Sequence, residues 1–334
     1  MKQLLKRPLR RWFRTVADAF FRRLANDQAV LETLSDRIAK KMLLHTLLHT
    51  GSRKRPPHQL FGAVSDDLWF WLNTEGYRTS ADLRALLPAL PAETQQYLFT
   101  GAAGDTTLAE AFAFYKVVKG LFEQHAGDFE PARRVLDFGC GWGRVIRFFL
   151  KDIEPANLWG FDCYDEALTL GRQTNRWAQF RLIDPRPPVE LPPAGFDLIY
   201  CYSVFSHLAE DIHNQWLTEF HRLLKPGGLL VATTRPREFI QTIDAHLPTL
   251  PAWWARPSRP VFPDIARALA KYDAGHFCYS GVGGAGPLNK SFFGETCIPR
   301  GYVEQHWTRG FTFRDFIADR AVCPQNIIVV QKAV

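Results

Sequence analysis

The sequence predicts an α/β fold, doubly wound around a mostly parallel seven-stranded sheet. Three observations predict it. From residue 133 onward, short apolar runs alternate with helical stretches, the pattern of strands joined by crossover helices. The first run ends in a glycine-rich turn that opens a helix, a place where parallel sheets bind ligands. Two late apolar runs with little helix between them close the chain and bring the strands to seven.

Residues 1–59 read as a basic helical N-terminal extension. Over 9–26, Leu9, Trp12, Phe13, Val16, Phe20 and Leu24 recur at helical spacing among five arginines, and Pro8 suits the first turn. A second helical stripe, Leu31, Leu34, Ile38 and Met42, lies within 28–49, and 51–57 is a linker by composition. These helices either pack on the body or on a second copy, giving a homo-oligomer, or lie on an anionic membrane through residues 1–50. Residues 60–130 read as a helical cap, with helical patterns over 65–73, 80–87 and 108–125.

The sheet domain then runs over 131–334. Strands are expected at 133–138, 158–161, 180–183, 196–202 and 229–233, the last entered through the turn Lys225-Pro226-Gly227-Gly228. Helices are expected at 142–151, 166–178 and 211–224, and the closing strands at 311–317 and 327–331. Between the fifth strand and the closing pair sits an inserted segment, 235–300, rich in aromatics such as Trp253, Trp254, Phe262, Tyr272, Phe292 and Phe293. It is either a substrate lid or a small satellite core. Its run Gly281-Val282-Gly283-Gly284-Ala285-Gly286 is followed by Pro287 with no helix pattern, so it reads as a loop able to gate a site.

Charge narrows the partners. Residues 1–60 hold 14 Lys/Arg against 4 Asp/Glu, and the remainder holds 27 against 30. The net charge of +7 is therefore a property of the N-terminal segment, which attracts membrane or nucleic-acid phosphates while the body does not. No apolar run reaches the roughly 18 residues of a membrane span, and no secretory leader is read at the start. Six cysteines without a C-x-x-C pair suggest reduced thiols in a cytoplasmic protein, peripheral at most to the inner membrane face.

Asp137-Phe138-Gly139-Cys140-Gly141-Trp142-Gly143-Arg144 carries the chemistry. A dinucleotide fingerprint is G-x-G-x-x-G. Here the third glycine comes one position early and an acid leads, giving D-x-G-x-G-x-G. With this motif in place, the chain resembles the class I S-adenosylmethionine-dependent methyltransferases, whose fold is Rossmann-like. The resemblance covers about 131–235 and the closing strands. It implies cofactor contacts for Asp137, Gly139, Gly141 and Gly143, a ribose-binding role for Asp162, an adenine-side position for Asp184, and a place for Ser203 beside the cofactor. Phe196-Asp197-Leu198-Ile199 and Leu223-Leu224-Lys225-Pro226-Gly227-Gly228 resemble later family motifs. The implied cofactor is S-adenosylmethionine, leaving as S-adenosylhomocysteine, with no metal.

Ser203-Val204-Phe205-Ser206-His207-Leu208 resembles members acting on glycans, lipids or other small molecules. Tyr200-Cys201-Tyr202-Ser203 stands where amino-methylating nucleic-acid enzymes carry Asn/Asp-Pro-Pro-Tyr. The expected acceptor is thus a hydroxyl of a small molecule or a lipid-linked glycan. Two alternatives stay open: methylation of nucleic acid through the basic N-terminus, or a catalytically silent cofactor-binding protein of an assembly or membrane. A hydroxyl must lose its proton, so His207, just after the fourth strand, is the first candidate for a base, with His276 and Glu295 behind it. His207 could instead cap the next helix or pack under the loop.

Overall fold

The computed structural model describes residues 55–246, 260–281, 288–289 and 291–334. The basic helices expected within 1–49, Trp253 and Trp254, and most of the second glycine run lie outside these residues.

Two compact units divide the chain. One holds the described residues up to Pro88 together with Leu150–Asp152. Its helices are α1 (Pro57–Phe61), α2 (Asp66–Asn73), α3 (Glu75–Thr79) and α4 (Ala81–Leu86). The Ser65 and Ser80 hydroxyls accept from the N–H groups of Leu68 and Leu83, each at 3.3 Å, and so cap α2 and α4. Phe61, Leu68, Trp69, Leu72 and Leu83 are buried, with the Phe61 and Trp69 rings 5.2 Å apart.

The second unit, 89–149 and 153–334, carries the sheet. It opens with α5 (Glu93–Thr100) and α6 (Gly104–Ala126). Buried Gln96 ties the two together, because its Oε1 accepts from Gly104 N–H at 3.0 Å while its Nε2 donates to Pro91 O at 2.8 Å. Next come β1 (Val135–Phe138), α7 (Ile146–Phe149), β2 (Leu158–Asp162), α8 (Asp165–Thr174), β3 (Gln179–Leu182), β4 (Phe196–Cys201), α9 (Glu210–Leu223) and β5 (Leu224–Thr234). The inserted segment follows as α10 (Phe239–His246), α11 (Ile265–Asp273), β6 (Cys278–Ser280) and β7 (Glu295–Cys297). The chain closes with α12 (Arg300–His306), β8 (Phe311–Ile317) and β9 (Asn326–Lys332).

The main sheet has seven strands in the order β3-β2-β1-β4-β5-β9-β8. Its first five strands pair in parallel, and β9 runs antiparallel between β5 and β8. This is the doubly wound, Rossmann-like sheet the sequence predicts. Every residue of β1 and β4 is buried, which is why both read as largely apolar runs, interrupted by Asp137 and Asp197, rather than alternating ones. Strand order reverses between β1 and β4, so the loops after these strands diverge and leave a crevice at their carboxyl ends. Under that crevice the Phe138 ring packs on Trp216 and Phe220, at 4.4 and 4.8 Å between centroids.

Local details depart from expectation for identifiable reasons. The helix expected over 142–151 shrinks to the single turn α7, because Gly143 sits at φ +83°, outside helical geometry. The helix expected to reach 178 stops at Thr174, where the Asn175 side chain accepts from Trp177 N–H at 3.0 Å and draws the backbone into a turn. The turn expected before the fifth strand is a bulge within β5. Phe196 pairs with Leu224 and Leu198 with Leu229, so residues 225–228 loop out of the ladder. Much of the insert forms a satellite core of Ile240, Ile243, Val261, Phe262, Cys278 and Cys297, with Tyr272 against it. Phe277 instead joins the main core.

Candidate functional site

A cavity of about 390 Å³ opens at the carboxyl ends of β1, β2 and β4. That volume lies within the roughly 300–1,000 Å³ of small-molecule sites. Six of the eight residues singled out from sequence line it: Gly139, Gly141, Asp162, Asp184, Ser203 and His207.

The three glycines of the loop all have positive φ, at +74°, +54° and +83°, yet they serve different ends. A Cβ on Gly139 would lie 2.2 Å from Val204 Cγ2, so this glycine lets the loops after β1 and β4 meet. A Cβ on Gly141 would meet nothing within 4 Å, so its bare backbone leaves cavity space for a ligand. Gly143 does not line the cavity. Its Cβ would press on the Phe180 ring at 3.0 Å, which marks it as a packing glycine.

Asp162 ends β2 and ties two loops together. Its Oδ2 accepts from Gly141 N–H and its Oδ1 from Tyr164 N–H, both at 2.8 Å. Each oxygen keeps a further lone pair for a hydroxyl of a bound molecule. Burial raises its pKa, and these N–H groups oppose the rise. Asp184 sits exposed at the rim, where its Oδ1 accepts from Arg186 N–H at 3.0 Å; Ile183, Pro185 and Trp216 form the wall beside it.

Asp137 does not reach the cavity. It is 2% exposed beneath the loop, and the parallel register sets it beside Tyr200. Among the described residues neither Asp137 Oδ2 nor the Tyr200 hydroxyl has a hydrogen-bond partner. Burial pushes the carboxyl up to about 7, and the Asp162 charge adds to the rise while the Arg144 charge opposes it.

The loop after β4 carries the strained residue. Ser203 has φ +60°, unusual for a side chain other than glycine. Its N–H donates to Thr233 Oγ1 at 2.7 Å, Thr233 Oγ1 donates to Gln325 Oε1 at 2.8 Å, and Gln325 Nε2 donates back to Ser203 Oγ at 2.9 Å. This closed ring, spanning β4, β5 and the approach to β9, holds the conformation.

His207 is 6% exposed, with its ring stacked on Phe293 at 4.8 Å. Its Nδ1 donates to Gly294 O at 2.8 Å, since a carbonyl only accepts. Nε2 therefore keeps its lone pair, 3.5 Å from Ser203 Oγ. Burial, with Arg235 nearby, lowers the pKa to about 3, so the imidazole is neutral and weakly basic. The same segment anchors the insert: Gly294 N–H donates to His207 O, Thr296 N–H to Ser206 O and Ala209 N–H to Phe292 O, each at 2.8 Å. Of the secondary candidates, His276 is exposed and outside the cavity, which removes it as a base for chemistry there. Glu295 is fully buried behind the wall, where its Oε2 accepts from Arg235 Nε at 3.2 Å.

Sequence reasoning missed the group across the cavity. Glu110 of α6 accepts the Tyr202 hydroxyl proton in a hydrogen bond and pairs with Arg144 Nη1 at 3.5 Å, and the Arg144 guanidinium lies 4.9 Å from the Tyr202 ring centre. All three line the cavity. Arg144 follows the last glycine of the motif, a legible position, but Glu110 is brought in only by the packing of α6.

The family described as "Methyltransferase domain" matches residues 136–230. The biotin biosynthesis bifunctional protein BioCD of Bordetella avium is 30% identical over 187 residues, covering 55% of this chain and 39% of that protein. A fatty-acid O-methyltransferase of Mycolicibacterium smegmatis is 29% identical over 107 residues, covering 31% of this chain and 38% of that one. The chain thus spans about two fifths of each of these relatives. Among solved structures, an S-adenosylmethionine-dependent methyltransferase from Mesorhizobium loti is 16% identical, covering 66% of this chain and 98% of that one at a TM-score of 0.44.

Proposed function

We propose that this chain, which carries a class I S-adenosylmethionine-dependent methyltransferase domain, transfers a methyl group to an oxygen of a small-molecule or lipid acceptor. The observation that carries the reading is the pairing of Gly141 with Asp162 at the switch point of the sheet. The residues fit the cofactor: Gly141 leaves room where a Cβ would stand, and Asp162 keeps a lone pair on each oxygen for ribose hydroxyls. Asp184, Ile183 and Pro185 would flank the adenine, with Gly139 and Ser203 on the methionine side. When bound, S-adenosylmethionine supplies an electrophilic methyl whose sulfur departs as a neutral thioether.

The chain's own contribution is alignment and exclusion of water, which can supply most of the rate of an in-line displacement. Phe292, Phe293 and Leu288 from the insert close the acceptor side in apolar surface. The wall formed by Ser203, His207 and Arg235 orients the acceptor. The fatty-acid O-methyltransferase among the relatives supports an acid or lipid acceptor. The basic N-terminal segment would draw the chain to anionic membranes where lipidic acceptors reside. Among the described residues no helix is long and apolar enough to cross a membrane.

Calorimetric titration with S-adenosylmethionine and S-adenosylhomocysteine, with NAD as control, tests the reading. Micromolar binding of both, weakened in Asp162→Ala, is expected. Binding of NAD instead, or of neither, overturns it.

A further inference from the structure

The geometry points to a carboxylate as the acceptor group: Arg235, on the wall shared with His207 and Phe293, holds the acceptor's carboxylate, and that carboxylate rather than a hydroxyl receives the methyl. This rests on the methyl-transfer reading above.

Two cationic side chains, Arg144 and Arg235, are among the residues lining the cavity. Arg144 faces Glu110 and Thr107 on the cap side. Arg235 directly follows β5, on the insert side. Among the described residues its one hydrogen bond runs from Nε to Glu295 Oε2, at 3.2 Å, and its guanidinium lies 4.5 Å from the Phe239 ring centre. A guanidinium is a planar fork that can engage carboxylates on two edges. Here one edge is held by Glu295, and the terminal nitrogens make no hydrogen bond within the described residues. Glu295 competes for this guanidinium, although burial raises its carboxyl to about 7 in spite of Arg235.

The same wall is poorly built for deprotonating an alcohol. His207 has an Nε2 lone pair, but it faces Ser203 Oγ at 3.5 Å, and burial together with the Arg235 charge holds its basicity low although the Gly294 hydrogen bond raises it. Glu295 does not line the cavity, and His276 is exposed elsewhere. A carboxylate needs no base, being ionised at neutral pH. One of its oxygens forms the new O–C bond with its own lone pair, the S–C bonding pair stays on sulfur, and no proton moves. The products are a methyl ester and S-adenosylhomocysteine. Phe292, Phe293, Leu288 and Leu208 give the rest of such an acid an apolar wall.

The test is calorimetric titration of the full chain, first with S-adenosylhomocysteine and then, once saturated, with octanoate or 1-octanol. Octanol is the more apolar of the two, so burial alone would favour it. Octanoate binding at least tenfold tighter than octanol is expected, with the preference lost in Arg235→Met. Glu295→Gln, nearly isosteric, removes the competing carboxylate and is expected to tighten octanoate severalfold. The inference is overturned if octanoate fails to bind, if octanol binds equally well, if the preference survives Arg235→Met, or if Glu295→Gln leaves octanoate affinity unchanged or weaker. Failure of S-adenosylhomocysteine to bind in the first titration sinks the methyl-transfer reading itself, so the two failures are distinguishable.

Discussion

The backbone N–H of Gly141 donates to Asp162 Oδ2 at 2.8 Å, joining the glycine loop after β1 to the end of β2. Two segments 21 residues apart thus share one carboxylate, which also accepts from Tyr164 N–H. Asp162→Asn keeps the shape but removes the charge and turns an amide N–H toward one of the two donors. Hydrogen bonds to a charged group are worth about 1.5–3 kcal/mol, so S-adenosylhomocysteine binding should weaken roughly 10- to 100-fold. Calorimetry checks this, and an unchanged dissociation constant would contradict the role.

Gly139→Ala and Gly141→Ala separate packing from binding. Both place alanine at positive φ, which costs about 1–2 kcal/mol. Only at residue 139 does the new Cβ also collide with Val204. Gly139→Ala should therefore lower Tm clearly more than Gly141→Ala. Gly141→Ala should stay folded and lose cofactor affinity, since its methyl enters the cavity. Equal melting losses in the two variants would refute the distinction.

Asp137 makes stability depend on pH with a definite sign. The folded state holds its proton up to about pH 7, whereas the unfolded chain releases it near 3.8. Its stabilising contribution is therefore full below pH 3.8, falls as pH rises toward 7, and is lost above that. Asp137→Asn never ionises. The Tm of the variant minus that of the parent should climb between pH 4 and 7 and then level off. A difference that stays flat across this range would show that Asp137 is ionised in the fold.

His213 on α9 is fully buried among the rings of Phe205, Phe277, Tyr302 and Trp307. Neither of its ring nitrogens has a hydrogen-bond partner among the described residues. Burial, with His306 adding to it, lowers its pKa to about 3. A depressed histidine contributes stability above the unfolded pKa near 6.5 and loses it as pH falls toward 3. An unsatisfied buried polar group costs about 1–3 kcal/mol, so His213→Leu should stabilise the chain even at pH 7.5. The gain should widen below pH 6.5. Thermal melts at pH 7.5 and 5 check both parts, and a loss of stability at either pH would refute the assignment.

Much of the architecture is legible from residue 133 onward, because parallel strands buried on both faces leave largely apolar runs such as Val135–Phe138 and Phe196–Cys201, each holding a single aspartate. The insert was less legible, although α11 carries its own signal. The Asp264 side chain caps it by accepting from Arg267 N–H at 2.8 Å, and Ala268, Leu269 and Tyr272 fall at helical spacing against the satellite core. The sheet-edge site reads well because glycines and acids at strand ends are local features. The cap-side cluster does not, since Glu110 lies 34 residues before Arg144 and 92 before Tyr202.

The sequence by itself determined the doubly wound sheet and the motif positions Gly139, Gly141 and Asp162, since hydrophobic periodicity and glycine placement act over a few residues. Tertiary structure alone decided what each group does. Packing against Phe180 makes Gly143 structural, and burial withdraws Asp137 from the cavity and lowers the basicity of His207, while Arg235 is left facing the cavity. Desolvation and hydrogen bonding depend on what distant segments bring alongside, and spacing along a chain does not encode that.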